Sequence, residues 1–246
     1  MPSHEIDRSR GKDYNGEFSM EKLDRSKRIL CEFVSGFPSE KLLIAYSGGK
    51  DSIVVAHLAA QLGISDSICE ISYCSPLQVA DFKKTAHQLG LNVTYKDSLN
   101  WEWLAKHPKW IHGSLKEAGG FYSLRQQKTI KRHAINQAYK GVIYGRRTEE
   151  NTVRAPIYQT KDGLNHCHPI RDWRTAEVWA YIHKHGIHYP GIYDHPIGKK
   201  EGNTPLNRLP KEHWPNPWKV LHSYDPNYVQ NFAPFNADAR AFLASL

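Results

Sequence analysis

The amino-acid sequence predicts an α/β protein with a doubly wound, mainly parallel sheet and an irregular C-terminal extension. Short apolar runs alternate with helical patterns through most of the chain, which favours parallel strands joined by right-handed crossovers. A glycine pair separates the first apolar run from the helix that follows it, as in many ligand-binding turns of such sheets. We expect a flexible arm over 1–20, an α/β domain over 21–197, and an aromatic and proline-rich layer over 198–246.

Individual elements follow from hydrophobic spacing and from the residues that end helices. Apolar residues at helical spacing predict a first helix ended by Pro38 and a later one ended by Gly90. Apolar runs between turn signals predict the strands. In chain order we expect helix 20–37, strand 41–46, helix 53–62, strand 67–73, helix 77–89, strand 91–95, a tryptophan-bearing helix 100–111, a basic helix 121–136, strand 141–145, a strand and turn 166–173, helix 176–185 capped by Thr175, loop 188–194 and a closing helix 237–246.

Composition and charge limit the classes of function. The chain has 246 residues, 40% of them hydrophobic, and no apolar run approaches the ~20 residues that cross a bilayer. Its first residues are charged and contain no apolar signal segment, so we expect a cytoplasmic protein without a membrane span. The formal charge of +8 suits anionic ligands, either nucleotides or a nucleic acid on a basic surface. It suits a basic solubility surface equally well.

Residue types that bind metals occur without a metal-binding pattern. The cysteines stand at positions 31, 69, 74 and 167, which fits neither a zinc site nor an iron–sulfur cluster, so we expect buried free thiols. The histidines at positions 166, 168, 183, 185, 188 and 195 have no acidic or cysteine partner at typical ligand spacing. We expect these histidines on the surface or in packing.

The turn after the first strand is predicted to bind pyrophosphate. Residues 47–52 read Ser-Gly-Gly-Lys-Asp-Ser and join a strand to a helix; the Walker A pattern is absent. Such a turn presents backbone N–H groups and the positive end of the helix dipole, and its glycines let a phosphate approach closely. Lys50 supplies charge, and the hydroxyls of Ser47 and Ser52 can donate. Asp51 suits a Mg²⁺ ligand or a cap that fixes the turn.

A second charged segment follows strand 141–145. It contains Arg147, Glu149, Glu150 and Arg154, and it begins at the carboxyl edge of the predicted sheet, where ligands bind in open α/β sheets. Guanidinium groups can clamp phosphate or sulfate oxygens bidentately, with Glu149 or Glu150 fixing their orientation. A cluster of this kind is as often a structural ion network.

Three motifs, in order, resemble those of the phosphoadenosine phosphosulfate (PAPS) reductase family, within the ATP pyrophosphatase (PP-loop, adenine nucleotide alpha hydrolase-like) superfamily. They are the PP-loop at 47–52, the pattern Gly145-x-Arg147-x-x-Glu150-x-x-x-Arg154, and Pro169-Ile170-x-Asp172-Trp173 with the later Gly186-Ile187-x-Tyr189-Pro190. The resemblance covers roughly residues 40–195. It implies a doubly wound α/β domain that binds an adenine nucleotide at the carboxyl edge of its sheet.

The resemblance also implies roles for particular residues. Lys50, Asp51, Arg147 and Arg154 would form the catalytic anion site, and the backbone around Tyr73 and Cys74 would meet the adenine. Glu150 would orient the arginines. The residues implied to bind phosphate are Ser47, Gly48, Gly49, Lys50, Asp51, Ser52, Gly145, Arg147 and Glu150. The implied cofactors are ATP and Mg²⁺, the latter on Asp51, with PAPS as an alternative ligand.

One departure from the family separates the candidate activities. Sulfonucleotide reductases carry a C-terminal Glu-Cys-Gly-x-His segment, whereas the last cysteine here is Cys167. We therefore expect an enzyme that cleaves ATP between the α and β phosphates and adenylates an acceptor. The acceptor would be sulfate, as in the ATP sulfurylase small subunit, or a group modified in nucleic acid. The alternatives are a PAPS reductase that uses Cys167 or Cys74, and a non-catalytic module that binds a nucleotide or nucleic acid. A partner subunit or a homodimer is compatible with each.

Overall fold

Six short strands form one sheet in the computed structural model of the chain, which describes residues 19–72, 74–97, 128–150, 156–195 and 216–246. The strands are β1 (Leu42–Ala45), β2 (Asp66–Glu70), β3 (Asn92–Lys96), β4 (Gly141–Tyr144), β5 (Tyr158–Lys161) and β6 (Leu164–Cys167). Their spatial order is β3-β2-β1-β4-β6-β5. Strand β1 is parallel to β2 and β4, β4 is parallel to β6, and β5 is antiparallel to β6. The predicted α/β class with a mainly parallel sheet is confirmed.

Helices alternate with the strands as the sequence predicts. They are α1 (Met20–Ser35), α2 (Lys50–Ala60), α3 (Pro76–Gln88), α4 (Lys128–Asn136), α5 (Thr175–Lys184), α6 (Pro217–Tyr224), α7 (Pro226–Phe232) and α8 (Ala237–Ala244). Helix α2 begins three residues earlier than predicted, directly after the glycine pair. The predictions for the arm up to residue 18, for the tryptophan-bearing helix and for the first seven residues of the basic helix lie outside the described residues.

The hairpin of β5 and β6 is absent from the sequence prediction. Tyr158 lies opposite Cys167, and the two-residue loop between the strands is Asp162-Gly163, with φ angles of +55° and +77°. Two left-handed residues make the hairpin turn that matches the twist of paired strands, and Asp-Gly is a preferred sequence for it. All four residues of β5 are exposed. The strand therefore has no apolar pattern, and the Asp-Gly pair is its sequence signal.

The start of α5 differs from the prediction that Thr175 caps it. Arg174 occupies the cap position, and Thr175 is the first helical residue. The Glu177 carboxylate accepts a hydrogen bond from the Arg174 N–H at 2.7 Å, so a side chain inside the helix satisfies the backbone at its start. The Thr175 hydroxyl instead donates to Glu149 at 2.8 Å.

The C-terminal tail is helical where it is described, so the expectation of an irregular layer is wrong for residues 216–246. Pro217 and Pro226 stand at helix starts, where the missing N–H group is no loss. Asn216 and Asn236 cap α6 and α8 with their side chains. Pro217 and Pro226 thus begin helices, and the predicted closing helix is confirmed as α8.

The described residues divide into two compact units. The first comprises the described residues of Met1–Ile68, Lys84–Thr94 and Ala134–Tyr189, and the second those of Cys69–Lys83, Tyr95–His133 and Pro190–Leu246. In the first unit, β1, β4 and the apolar residues of α2 form the buried core. In the second, Leu221, Tyr228 and Val229 are fully buried between the C-terminal helices. None of the described helices has the length and apolar character needed to span a membrane.

Helix α1 holds the turn that precedes α5. The Ser26 hydroxyl donates to the Pro169 carbonyl at 2.8 Å and accepts from the Trp173 indole N–H at 2.9 Å, and all three residues are buried. Lys22 pairs with Glu177 at 2.8 Å. Pro169 and Trp173 of the third motif therefore act in packing and place the start of α5 beside the end of β4.

Candidate functional site

The PP-loop is a tight turn closed by its own serines. Gly48 has a φ of +71°, a backbone conformation that favours glycine. The Ser52 hydroxyl donates to the Gly49 carbonyl at 2.8 Å, and it accepts from the Ser47 N–H at 3.1 Å. The two serine hydroxyl oxygens are 3.1 Å apart. Both serines thus fix the shape of the loop, and in this conformation their hydroxyls serve the turn.

Helix α2 begins at the loop with its positive end. Gly49 is the residue before the first helical turn, and no side chain of the described residues caps it. An α-helix leaves the N–H groups of its first turn without intrahelical acceptors, and the helix dipole adds positive potential there. This loop and helix start therefore have the features of an anion site built from backbone.

Lys50 adds a buried cation to this site. Its side chain is 1% exposed, and its Nζ lies 2.8 Å from Asp51 Oδ2. Lysine is almost never fully buried without a charged partner, because desolvating the ammonium group is costly. A buried lysine in the first helical turn, paired with its neighbour, indicates that the site is organised around negative charge.

Arg147 is buried against carboxylates. Its Nε donates to Asp51 Oδ1 at 2.6 Å, one guanidinium nitrogen pairs with Glu149, and the same nitrogen donates to the Trp173 carbonyl at 3.3 Å. Its side chain has no exposed surface. Asp51 therefore joins two cations, Lys50 and Arg147, one on each of its oxygens. The sequence predicts that these residues belong to one site, but it gives no sign of the Arg147–Asp51 pair.

Glu149 connects Arg147 to the start of α5. Its carboxylate accepts hydrogen bonds from the Thr175 N–H at 2.7 Å and from the Thr175 hydroxyl at 2.8 Å, beside Arg147. Burial raises the pKa of the Glu149 carboxyl, but the bonds from Thr175 and Arg147 outweigh burial and lower it. The chain Lys50–Asp51–Arg147–Glu149–Thr175, the ion network, thus links the N-termini of α2 and α5.

Gly145 lets the end of β4 lie against the first turn of α2. A Cβ at this position would come within 2.6 Å of the Asp51 carbonyl carbon and 2.7 Å of the Ser52 nitrogen. The structure thus gives Gly145 a packing role beside the loop, and it explains why the second motif starts with glycine.

A Gly145→Ala variant should lower the free energy of unfolding by about 3 kcal/mol or fail to fold, because the backbone atoms of Asp51 and Ser52 cannot yield to the new methyl group. Gly36→Ala is the matched control, since the nearest atom to its new Cβ is 3.4 Å away. Urea unfolding of both variants measures the difference. Equal stability of the two would contradict the close approach of β4 and α2.

Several predicted site residues cannot be placed. Tyr73 and Arg154 lie outside the described residues, as does the side chain of Glu150, whose backbone belongs to a short 3₁₀ turn, Thr148–Glu150. Cys74 is partly exposed and belongs to the second unit. Their roles stay predictions.

The cysteines differ partly from the expectation of buried thiols. Cys69 and Cys167 are buried, Cys74 is partly exposed and Cys31 is exposed; none of the four forms a disulfide. Burial strongly raises the pKa of the Cys167 thiol, which keeps it protonated and inert as a nucleophile. No group of three or more metal-ligating side chains is found in the described part of the chain.

His168 is a buried residue that the sequence did not single out. It follows β6, has no exposed surface, and neither ring nitrogen has a hydrogen-bond partner in the structure. Burial, then the charges of Arg146 and the neighbouring His166 and Arg171, lower the pKa of His168 to about 4. The ring is therefore neutral in the folded protein at neutral pH.

Acid should destabilise the protein through His168. Its pKa falls from 6.5 in the unfolded chain to about 4 in the folded one. The unfolded state therefore binds the proton first, and stability present above pH 6.5 is lost as the pH falls towards 4. The expected loss is about 3 kcal/mol. Urea unfolding between pH 7 and 4.5 measures it, and the His168→Gln variant should show a shallower pH dependence. Identical slopes in both proteins would refute this role.

The sheet order and the PP-loop together define the adenine nucleotide alpha hydrolase-like class of α/β folds. Within this class the chain belongs to the phosphoadenosine phosphosulfate reductase domain family, whose conserved domain matches residues 41–198. The resemblance of the three motifs is thereby confirmed at the level of the family.

Two relatives show how much of the chain has similar sequences in other proteins. An uncharacterized protein of Methanocaldococcus jannaschii is 30% identical over 188 residues, which are 71% of this chain and 44% of that protein. A phosphoadenosine 5'-phosphosulfate reductase of Xanthomonas campestris pv. campestris is 24% identical over 186 residues, 71% of this chain and 74% of that one. The chain thus spans less than half of the first relative and about three quarters of the second.

Two crystal structures share the fold. PAPS reductase from Candida auris, in a phosphate complex, gives a TM-score of 0.54 at 19% identity and covers 73% of this chain and 93% of its own. Yeast FAD synthetase in complex with FAD gives 0.51 at 14% identity, covering 75% of this chain and 68% of its own. At this identity the likeness concerns the fold.

Proposed function

We propose that the chain binds an adenine nucleotide, with its phosphates at the PP-loop, and cleaves ATP between the α and β phosphates to adenylate an acceptor. The observation that carries the proposal is the buried Lys50 in the first turn of α2, directly after a loop whose glycine has a φ of +71°. Loop amides, helix dipole and ammonium group act on one point, where a pyrophosphate leaving group gains negative charge. Preorganised donors of this kind stabilise developing charge.

The cations of the site would have distinct tasks. Lys50 would contact the phosphates, whereas Arg147, held by two carboxylates, would act by keeping Asp51 and the loop in position. Arg154 is proposed to add charge from outside the described residues.

Asp51 by itself does not fit a resident Mg²⁺ ion. Each of its oxygens already faces a cation, Arg147 on one side and Lys50 on the other, at 2.6 and 2.8 Å. A third cation there would need further negative charge. Mg²⁺ usually brings such charge by binding substrate phosphates together with one or two carboxylates. Magnesium stays a prediction tied to bound nucleotide.

Relatives support a nucleotide but leave the reaction open to test. PAPS reductases share the family, and an enzyme named FAD synthetase shares the fold; PAPS and FAD both contain an adenylate. Reduction of PAPS would require a reactive thiolate, and the burial of Cys167 weighs against that residue. Of the two candidate thiols, Cys74 is partly exposed and stays a candidate for the reactive thiolate.

Product analysis separates the two reactions. The protein is incubated with ATP and Mg²⁺, with and without sulfate, and in parallel with PAPS and reduced thioredoxin. Pyrophosphate release from ATP supports the proposal, whereas sulfite and 3′,5′-ADP from PAPS would replace it with the reductase. Nucleotide binding without any product would leave the chain a binding module.

Partners follow from surface charge and are proposed on that basis. Helix α4 exposes Lys128 and Arg132, which are four residues apart and share a face, the kind of basic face that contacts phosphates of a nucleic acid. Nucleic-acid binding should then weaken steeply with salt. A partner subunit or a homodimer would be seen by sedimentation of the purified protein at several concentrations.

A further inference from the structure

Two buried polar side chains without hydrogen-bond partners follow neighbouring strands of the sheet. They are the ring of His168 and the hydroxyl of Thr148; neither ring nitrogen nor the Thr148 Oγ1 has a hydrogen-bond partner in the structure. Nearly all buried polar atoms of proteins are hydrogen-bonded, to protein, water or ligand. Two such groups at the same edge of the sheet indicate a polar ligand there.

Backbone hydrogen bonds through Arg171 connect the two segments that carry these groups. The Thr148 N–H donates to the Arg171 carbonyl at 2.8 Å, and the Arg171 N–H donates to the His168 carbonyl at 3.2 Å. Thr148 and His168 follow β4 and β6, which are neighbouring parallel strands. The ring of Tyr144, the last residue of β4, lies 5.6 Å from the His168 ring. Both groups therefore belong to the carboxyl edge of the sheet.

The charges around this pair are mostly positive. Arg146 lies over the Tyr144 ring, with 4.9 Å between its guanidinium carbon and the ring centroid. Arg146, Arg171 and His166 all disfavour protonation of His168. Asp172 pairs with Arg171 at 3.0 Å, and Asp162 acts on His166 from the hairpin turn. Arg146 has no ion pair to a described carboxylate, so the local field favours an anion.

We propose that His168 and Thr148 form a second anion site, which binds a small oxyanion such as sulfate or phosphate. The Thr148 hydroxyl and the ring N–H donate to the oxyanion, and the ring takes up a proton as the anion enters, so that the new charges pair. Both groups are shielded from solvent, so the expected ligand is small.

The position of this site agrees with the place of a second substrate. Strand β4 lies between β1 and β6, so the strand ends that carry the PP-loop and His168 are two strand spacings, about 10 Å, apart. The oxyanion would then be the acceptor of the adenylate, a role that rests on the proposed function. Binding of the oxyanion itself does not rest on it.

Histidine NMR tests the site directly. The ring signals of the ¹⁵N-labelled protein are followed from pH 4 to 8 in sodium sulfate, in phosphate, and in sodium chloride of equal ionic strength, and the His168→Gln variant assigns the signal. We expect sulfate or phosphate to raise the pKa of His168 by at least one unit over chloride. Thr148→Val should reduce the shift, and Lys50→Met should retain it.

Each other outcome overturns the inference. An equal pKa in sulfate, phosphate and chloride means that the buried groups hold water or nothing. A shift that disappears in Lys50→Met and persists in Thr148→Val means that the anion binds at the PP-loop. A shift produced by ATP alone and lost in Lys50→Met means that a nucleotide phosphate reaches His168. Failure of the proposed function would be seen separately, as a sulfate-dependent shift without any binding of ATP.

Discussion

A Lys50→Met variant should keep its fold and lose ATP-dependent pyrophosphate release by at least about 100-fold, the loss typical when one preorganised charge-stabilising donor is removed. Methionine retains the buried stem of the side chain and removes only the ammonium group. Asp51 keeps its second partner, Arg147, at 2.6 Å, so its carboxylate still faces a cation. Steady-state assay of pyrophosphate, together with calorimetric titration of ATP, measures the effect.

Lys219→Met is the matched control for this experiment. Lys219 is an exposed lysine of α6, and its replacement should change neither ATP affinity nor rate. A folded Lys50→Met protein with wild-type affinity and rate would remove the PP-loop from the reaction. Circular dichroism of both variants establishes that they are folded.

An Arg147→Met variant should lose about 3 kcal/mol of stability, because the fully buried guanidinium group makes charge-assisted hydrogen bonds to two carboxylates, each of which keeps its other donors. Asp51 and Glu149 would both lose the guanidinium group that lies between them. For a chain of this size the melting temperature should fall by about 10 °C. Thermal unfolding followed by circular dichroism measures it.

Arg25→Met provides the comparison for Arg147. Arg25 pairs with Asp172 at 3.1 Å, but its side chain is 48% exposed. Exposed ion pairs contribute about 1 kcal/mol or less, so this variant should melt close to the wild-type temperature. If the two variants melted at the same temperature, the ion network would have no structural role and Arg147 would again be a candidate for direct phosphate contact.

The sequence predicts the parts of the fold that local patterns determine. Strand β1, the PP-loop and α2 follow one another along the chain, so apolar spacing and a glycine pair suffice to place them. The same holds for β4, which reads Gly-Val-Ile-Tyr and is buried along its whole length. Strand β5 is not predicted, because its exposed residues have no apolar alternation. Helices α6 and α7 are not predicted, because their prolines suggested loops.

Contacts between distant residues limit what the sequence reveals about the site. The Arg147–Asp51 pair joins residues 96 positions apart, and no spacing rule connects them. Either Glu149 or Glu150 could orient Arg147 by sequence, and the structure places the Glu149 carboxylate on it. The sequence places His168 among histidines expected on the surface or in packing, because burial without a partner is a property of the folded chain alone.

The central claim is that the phosphates of an adenine nucleotide bind at the PP-loop and the start of α2. A crystal structure with a non-hydrolysable ATP analogue, methylene-bridged between the α and β phosphates, tests it most directly. The account predicts phosphate oxygens within hydrogen-bond distance of the amides of residues 48–52 and of Lys50 Nζ. Phosphates bound elsewhere, with Lys50 Nζ still paired with Asp51, would contradict it.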